Sequence, residues 1–380
     1  MDELPLNNLK TINNMVCVKK TIKCKIIKPT KLKLKHLNKE YSNLQELLQL
    51  EKSGLDFLPI YKSLKKKVYS ANLQQTLRFY KKIKSDKEYP ISFRKDLLEV
   101  RKTNTKLFKY WIKIPTKQRR GGLNLAIKSQ PFKFEDYEIC ESKMYKNKKD
   151  WFINITVQKE VKLNNAYSSI LAMDLGEKVI ATTVLSTKNT PNFYGKEVRG
   201  IRKKYAYIRK QLGKKKLLKQ IKKIGQKEQR KVTDILNKIS SDIVKVAQTS
   251  NALIVLGDLK GIRNSAKGKG RRFNRIVSNM PYYKLTKMIE YKANWEGISV
   301  MKVSEAYTSK TCSKCGSLNT IRNNQTNFKC KDCNYQVNAD FNGAKNILKR
   351  SCGYILPDRV VSESTLNQNL TLEAPQLVGG

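Results

Sequence analysis

Four cysteines carry the sharpest chemical signal in this sequence. Cys312 and Cys315 form one Cys-x-x-Cys pair, Cys330 and Cys333 a second, and fourteen residues separate the pairs. That spacing lets two knuckles present four thiolates at the corners of a tetrahedron, the arrangement that Zn²⁺ prefers. Lysines beside each pair favour the thiolate form. Four sulfur ligands leave no open coordination position, so this metal is expected to be structural and catalysis must lie elsewhere. The candidates for catalysis are Asp174, Asp258, Glu305 and Asp340. Hydrolysis of a phosphodiester by two divalent ions needs carboxylates brought from separate chain segments to hold metals about 3.5–4 Å apart. Oxygen ligands of this kind suit Mg²⁺. Each acid also has a plainer alternative. Asp174 closes an apolar strand and could simply cap a turn, although the bare Gly176 after it leaves room for a phosphate. Asp340 opens a helical pattern as a natural N-cap, a role compatible with reaching a metal through its second oxygen. Glu305 could pair with a nearby lysine. The chain has a single histidine, His36, which excludes histidine-metal nucleases and two-histidine transposases.

The elements that must position these groups are built from an unusually basic chain. Lysine and arginine number 78 against 31 acids, a formal net charge of +47 over 380 residues. Such self-repulsion opposes compaction, and a polyphosphate partner would relieve it and release counterions. Nucleic acid is therefore the expected ligand. An AT-rich genome alone would enrich lysine, but it would normally enrich glutamate as well. The remaining cysteines, Cys17, Cys24, Cys140 and Cys352, are scattered, which suits a reducing compartment and not a disulfide framework. No run reaches the roughly eighteen apolar residues of a membrane span, and MDELPLNNLK has no leader-peptide core. A cytoplasmic protein is expected.

Residues 19–36 alternate apolar and basic side chains, the period of a half-buried strand with a cationic face. Two helical stripes follow, one through Leu37, Tyr41, Leu44 and Leu48, the other through Leu73, Leu77 and Tyr80. From about Thr105 the period returns to two, in LFKYWIKI, YEICESKMY and WFINITVQKEV. Residues 1–165 are thus expected to form a β-barrel with a helical insertion. The segment 168–186 reads as a hairpin turning at Asp174–Gly176, and 198–249 as basic helix broken near Gly213 and Gly225. A core stripe runs through Ile235, Ile239, Ile243 and Val246. ALIVLGDL (252–259) has the continuously apolar form of a strand covered on both faces. A helix near 281–295, a strand at 297–304 and a last helix from Ala339 complete the pattern. Hairpin strands followed by alternating strands and helices indicate an RNase H-like α/β sheet.

LAMDLG, VLGDLKGI, VSEAYTSKTCSKCG, the second Cys-x-x-Cys and NADFNGAKNI occur in that order. Over residues 168–350 the sequence resembles the TnpB family of insertion-sequence nucleases, relatives of type V CRISPR effectors. The resemblance implies a RuvC-type nuclease domain with Asp174 as its first acid and Asp340 as its last, two catalytic Mg²⁺ ions, and a structured RNA supplying the guide. It also implies recognition of duplex DNA beginning at a short flanking motif read by the N-terminal half. Many members carry a glutamate immediately before the Asp-Leu of the VLGDL strand. Gly257 stands there instead. Asp258 should face away, because neighbouring strand residues point to opposite faces. Glu305, after the next strand, is the candidate replacement. Should it fail to reach the metals, the family offers a second reading, a nuclease-deficient RNA-guided repressor. Nothing beyond the acids points to a strand-joining transposase.

The basic segments are read as the binding surface. Residues 198–230 place cations on nearly every turn, among them Arg202, Lys203, Lys204, Arg209, Lys210, Lys214, Lys215 and Lys216, interleaved with Tyr205 and Tyr207. Few acids stand ready to pair with them along the helix. The loop AKGKGRRFNR, with Arg271 and Arg272, reads as a flexible basic lid or strand guide. Lys65, Lys66 and Lys67 read equally well as a solvated turn, and Trp111, Trp151 and Trp295 as core. The expected layout is a barrel with helical insertion (1–165), a split nuclease domain (166–306 and 337–350), a zinc ribbon (307–336) and a disordered tail (351–380).

Overall fold

A computed structural model of the chain describes residues 15–52, 57–80, 88–103, 108–258, 270, 281–322 and 326–354. Its contacts divide into two units, one spanning Cys17–Glu160 and one built from Val161 onward together with the residues before Cys17. The basic loop 266–275 lies outside the described residues apart from Gly270, and so does the tail beyond Tyr354.

The first unit opens on β1 (Met15–Ile26), which turns Val18, Cys24 and Ile26 inward and most of its lysines outward. The expected strand ends there, earlier than the Lys/Leu alternation suggests. Residues 31–36 are instead the start of α1 (Lys31–Lys52). Pro29 interrupts the strand, and the Thr30 hydroxyl accepts the Lys33 amide at 3.3 Å as the helix begins. From Leu37 the side chains at Tyr41, Leu44 and Leu48 are all buried, so the helical stripe decides the structure. The helices α2 (Phe57–Lys65) and α3 (Ser70–Phe79) follow. Glu40 ties this helical insertion together from inside. Its carboxyl accepts the Tyr69 amide (3.0 Å), the Asn72 side chain (3.1 Å) and the Lys117 amide (3.1 Å). Burial raises its pKa, and those three donors oppose the rise.

The strands are β2 (Ile91–Phe93), β3 (Glu99–Lys102), β4 (Tyr110–Ile114), β5 (Leu123–Lys128), β6 (Glu138–Ile139), β7 (Ser142–Asn147) and β8 (Asp150–Lys162). With β1 they pair in the linear order β2-β7-β8-β1-β5-β4-β3, and β6 also pairs with β8. In β4 and β8 alternate residues are buried, Tyr110, Ile112 and Ile114 in one, Trp151, Ile153, Ile155 and Val157 in the other.

The second unit is organised by β9 (Ser169–Asp174), β10 (Ala181–Leu185), β11 (Lys188–Tyr194), β12 (Ala252–Asp258) and β13 (Val300–Ser304), ordered β11-β10-β9-β12-β13. The first three strands pair antiparallel, while β12 runs parallel to both β9 and β13. The expected hairpin therefore carries a third strand, β11. Between β11 and β12 come α4 (Lys196–Lys214) and α5 (Leu218–Thr249). A break falls near Gly213, but Gly225 lies within α5, whose neighbouring residues sustain the helix across it. Ile239 and Ile243 are buried, and Ile235 and Val246 pack against the same cluster. That cluster also takes Leu171, Met173, Ile254 and Leu256 from the sheet and Tyr282, Leu285 and Ile289 from α6 (Tyr282–Trp295). The opposite face, with Ile170, Ala172, Val255 and Val303, is covered by Ile347 of α7 (Ala339–Tyr354). The last helix thus extends into the expected tail, past residue 351. Each large aliphatic side chain fully buried in these layers contributes about 1.5–3 kcal/mol.

Candidate active site

Register places three positions in a row across the sheet. Leu256 pairs with Met173, so the next residues along, Gly257 and Asp174, are neighbours, and Gly257 pairs with Val303. Asp174, Gly257 and Val303 share the face covered by α7. Glu305 stands two residues past Val303 and has the same parity. A β-carbon added at Gly257 would coincide with the Glu305 carboxyl group. The glutamate side chain therefore occupies the space that a side chain at 257 would fill. Asp258 has the other parity and is exposed, although its charge still reaches Glu305.

Asp340 comes to the same place from α7. The structure corrects its expected role as N-cap. Asn338 caps the helix, its Oδ1 accepting the amides of Asp340 (2.9 Å) and Phe341 (3.1 Å). Both Asp340 oxygens are thereby spared from capping. One turn on, a β-carbon at Gly343 would lie 2.7 Å from Asp174 Oδ2, so the bare glycine is what lets α7 approach that carboxylate. Gly176 serves the turn itself, since a β-carbon there would lie 2.7 Å from the Val179 carbonyl oxygen.

The electrostatics are those of buried acids whose raised pKa values the nearby cations Arg322 and Lys178 only partly offset. Burial and the Asp340 charge push Asp174 up to about 7, with Arg322 and the Leu175 amide opposing. Burial and the charges of Asp174 and Asp258 push Glu305 up to about 8. Burial raises Asp340, while Arg322 and Lys178 pull it down. Tyr282, buried at the start of α6, has its phenol held neutral by burial and by the charges of Asp174 and Glu305. Glu305 Oε1 is buried with no hydrogen-bond partner. An orphaned carboxylate oxygen beside two aspartates is a donor set that a hard divalent cation such as Mg²⁺ would fit.

The cysteines are packed more tightly. Among the described residues they are the one set of potential ligands whose donor atoms all lie within 4.8 Å of one another. Cys312 and Cys333 sulfurs are 3.7 Å apart, and those of Cys315 and Cys330 are 3.6 Å apart. Against the burial that raises it, the amides of Cys333 and Asp332 bring Cys330 down to about 7. The site sits in a small sheet of β14 (Thr320–Arg322), β15 (Asn327–Cys330) and β16 (Gln336–Asn338), around Phe328. One metal ion of zinc's size and softness suits it. The strand β16 runs straight into α7, two residues beyond the expected end of the ribbon.

Residues 282–347, from α6 through the cysteine sheet into α7, match the family model described as the Cas12f1-like TNB domain. A TnpB-like protein of Methanocaldococcus jannaschii is 33% identical over 214 residues, covering 54% of this chain and 76% of that protein. The chain belongs to the TnpB family. Another similar protein is the putative RNA-guided DNA endonuclease InsQ of Escherichia coli, 31% identical over 52% of this chain and 53% of its own. The CRISPR-associated endodeoxyribonuclease Cas12f2 of a Micrarchaeota archaeon is 30% identical over 54% of this chain and 41% of its own. The chain thus spans about half the length of those two. A Cas12f1 chain solved with single-guide RNA and target DNA shares the fold, with a TM-score of 0.56 at 18% identity over 83% of this chain and 81% of that one.

In this TnpB-family chain the basic candidates divide by exposure. Lys203, Lys204, Lys210, Lys214, Lys215 and Lys216 are exposed, as is Tyr207. Tyr205 is buried, so it is core and not part of an aromatic surface. Arg209 pairs with Glu228 of α5, a partner that spacing along one helix does not reveal. Arg202 is half-buried, and its Nε is buried without a partner. Arg271 and Arg272 lie outside the described residues. Trp151 and Trp295 are core, and Trp111 is half-buried. Sequence reasoning missed Tyr282 and Gly343. For Gly343 a signal existed, a helix-interior glycine three residues after an acid, where alanine would be about 1 kcal/mol better for the helix itself.

Proposed function

We propose that this chain is an RNA-guided DNA endonuclease of a transposable element, with Asp174, Glu305 and Asp340 as its catalytic acids. The observation that carries the proposal is the Glu305 carboxyl group lying in the space left by Gly257, beside Asp174. The five-stranded sheet is read as the RNase H-like sheet of a RuvC-type nuclease, and the eight-stranded sheet with its helices as the β-barrel with helical insertion. Cys312, Cys315, Cys330 and Cys333 would hold one structural Zn²⁺. Asp174, Glu305 and Asp340 would hold two Mg²⁺ ions, which supply an activated water and neutralise charge developing on the scissile phosphate.

What the chain itself does is hold oxygen ligands ready. Capping by Asn338 leaves Asp340 free to face the site, and burial leaves Glu305 Oε1 without a competing donor. Tyr282, buried at the start of α6, keeps a neutral phenol beside the acids. The partners are a structured guide RNA and double-stranded DNA with a short flanking motif. The charge of +47, the relatives' names and the fold shared with a guide-RNA and target-DNA complex all support this. Sequence would be read by base pairing, with the protein reading backbone shape.

The test is Mg²⁺-dependent cleavage by the RNA-bound protein on a plasmid library randomised beside the guide match. Wild type should cut, Asp174→Ala and Glu305→Ala should not, and Asp258→Ala should. Tight target binding without any cutting would replace this reading with the RNA-guided repressor.

A further inference from the structure

Among the described residues, one face of α7 makes several of the hydrogen bonds that hold the segment delivering Glu305. Arg350 donates from Nη1 to the Ser304 carbonyl at 2.6 Å and from Nη2 to the Ala306 carbonyl, so its guanidinium grips the backbone on both sides of Glu305. One turn back, Asn346 donates to the carbonyls of Thr308 and Thr311, each at 2.7 Å. Thr308 in turn donates its hydroxyl to the Glu305 carbonyl at 2.9 Å. A further turn back, Asn342 donates to Thr311 (2.8 Å) and accepts the Ser313 amide (2.9 Å). Asn342, Asn346 and Arg350 fall at i, i+4 and i+8, a single stripe on the helix. Asn342 and Asn346 are buried. Inside the loop they hold, Tyr307 adopts a left-handed φ of 61°, an unfavourable backbone for a bulky residue. A loop this strained keeps its shape when its carbonyls are fixed from outside.

Resting on the nuclease reading above, we infer that Arg350, assisted by Asn346, is a positioning residue that holds Glu305 over Gly257. The glutamate belongs to a loop and must reach back over the strand end, whereas an acid at 257 would be fixed by the sheet. An anchored loop supplies the rigidity that the strand would have given. Because α7 also carries Asp340, one helix sets the spacing between the two acids.

The same geometry supplies a discriminating background. In Gly257→Glu/Glu305→Ala the colliding carboxyl is gone, and the acid stands on β12, independent of the loop. The experiment measures Mg²⁺-dependent cleavage by the RNA-bound protein for Arg350→Ala and Arg350→Lys in wild type, and for Arg350→Ala in that background. Alongside it, Mn²⁺ binding to the RNA-free protein is followed by calorimetry, with and without Glu305→Ala.

Arg350→Ala should lower cleavage by about 10- to 100-fold and raise the Mg²⁺ concentration for half-maximal rate, with partial rescue by Arg350→Lys. Target binding should be unchanged. In the transplanted background the same change should cost far less. If that background does not cut, the Mn²⁺ cycle decides. Arg350→Ala should weaken Mn²⁺ binding when Glu305 is present and add nothing when it is Ala. Equal losses in both backgrounds, or no loss in wild type, would overturn the inference. Wild type that neither cuts nor binds Mn²⁺ at these acids would instead remove the nuclease reading beneath it.

Discussion

The cysteine site and the carboxylate site differ in how far the chain must travel to make them. The cysteine site draws its ligands from 22 consecutive residues, Cys312 to Cys333, and closes with all four sulfurs within 4.8 Å. The carboxylate site draws on β9, the loop after β13 and the start of α7, and its acids are spread wider than the sulfurs. Glycine makes the room in the second region. Gly257 yields its side-chain space to Glu305, and Gly343 lets α7 approach Asp174. A compact local site builds itself around its metal. A dispersed site is built by the fold, which here brings like charges together.

The largest expected effect separates the two regions by what each loses. Asp174→Asn should abolish cleavage, by on the order of 10³-fold or more, without lowering the melting temperature, because it removes a buried charge from a repelling group. Cys330→Ser should do the reverse in kind. Zinc content, measured per chain, should fall to near zero, and amide protection across β14, β15 and β16 should collapse, since binding energy in such sites is folding energy. A ribbon still protected without zinc would break the contrast.

How legible each region was in the sequence follows the same division. The Cys-x-x-Cys pairs needed only spacing. The apolar β9 and β12, the Ile239–Ile243 stripe and the helix begun at Asp340 were legible because period and burial agree there. At 31–36 the Lys/Leu alternation imitates a strand, while the Pro29–Thr30 break and the stripe from Leu37 set a helix. At Asp340 the capping rule pointed to the acid itself, but Asn338, two residues earlier, takes the amides. Glu305 could be proposed from a family resemblance and strand parity. That its side chain fills the place of residue 257 depends on a loop held by Asn346 and Arg350, and no local pattern encodes that contact. Arg209, a nucleic-acid-binding candidate by sequence, has a partner that spacing along its own helix cannot reveal, because Glu228 lies on another helix.

A smaller effect tests whether glycine truly makes the room. Gly343→Ala should favour the helix by about 1 kcal/mol through propensity alone. Yet its β-carbon would lie 2.7 Å from Asp174 Oδ2 and 3.0 Å from Cγ, so the carboxylate must shift. Cleavage should drop about 10- to 100-fold, the range for groups that orient a metal ligand, with zinc content unchanged. Alanine tolerated at full activity would show that α7 has slack at this point.

The smallest expected effect is a pH dependence confined to the carboxylate region. In the metal-free protein Asp174 is raised to about 7 and Glu305 to about 8, far above ordinary carboxyl values. A group whose folded pKa is raised binds its proton more tightly when folded. Its contribution to stability is full below the ordinary carboxyl pKa and is lost as pH rises through the folded value. Thermal unfolding without divalent metal should therefore show a melting temperature that declines from about pH 4, where the unfolded carboxyls ionise, to about pH 8, where both folded acids have ionised, and levels off above that. Added Mg²⁺ should offset the decline, because it takes over from the protons on the same oxygens. Asp174→Asn/Glu305→Gln should flatten the slope, since neither amide titrates. Substituting the cysteines should leave it in place. A slope that survives the double amide variant would assign the titration to groups outside this site.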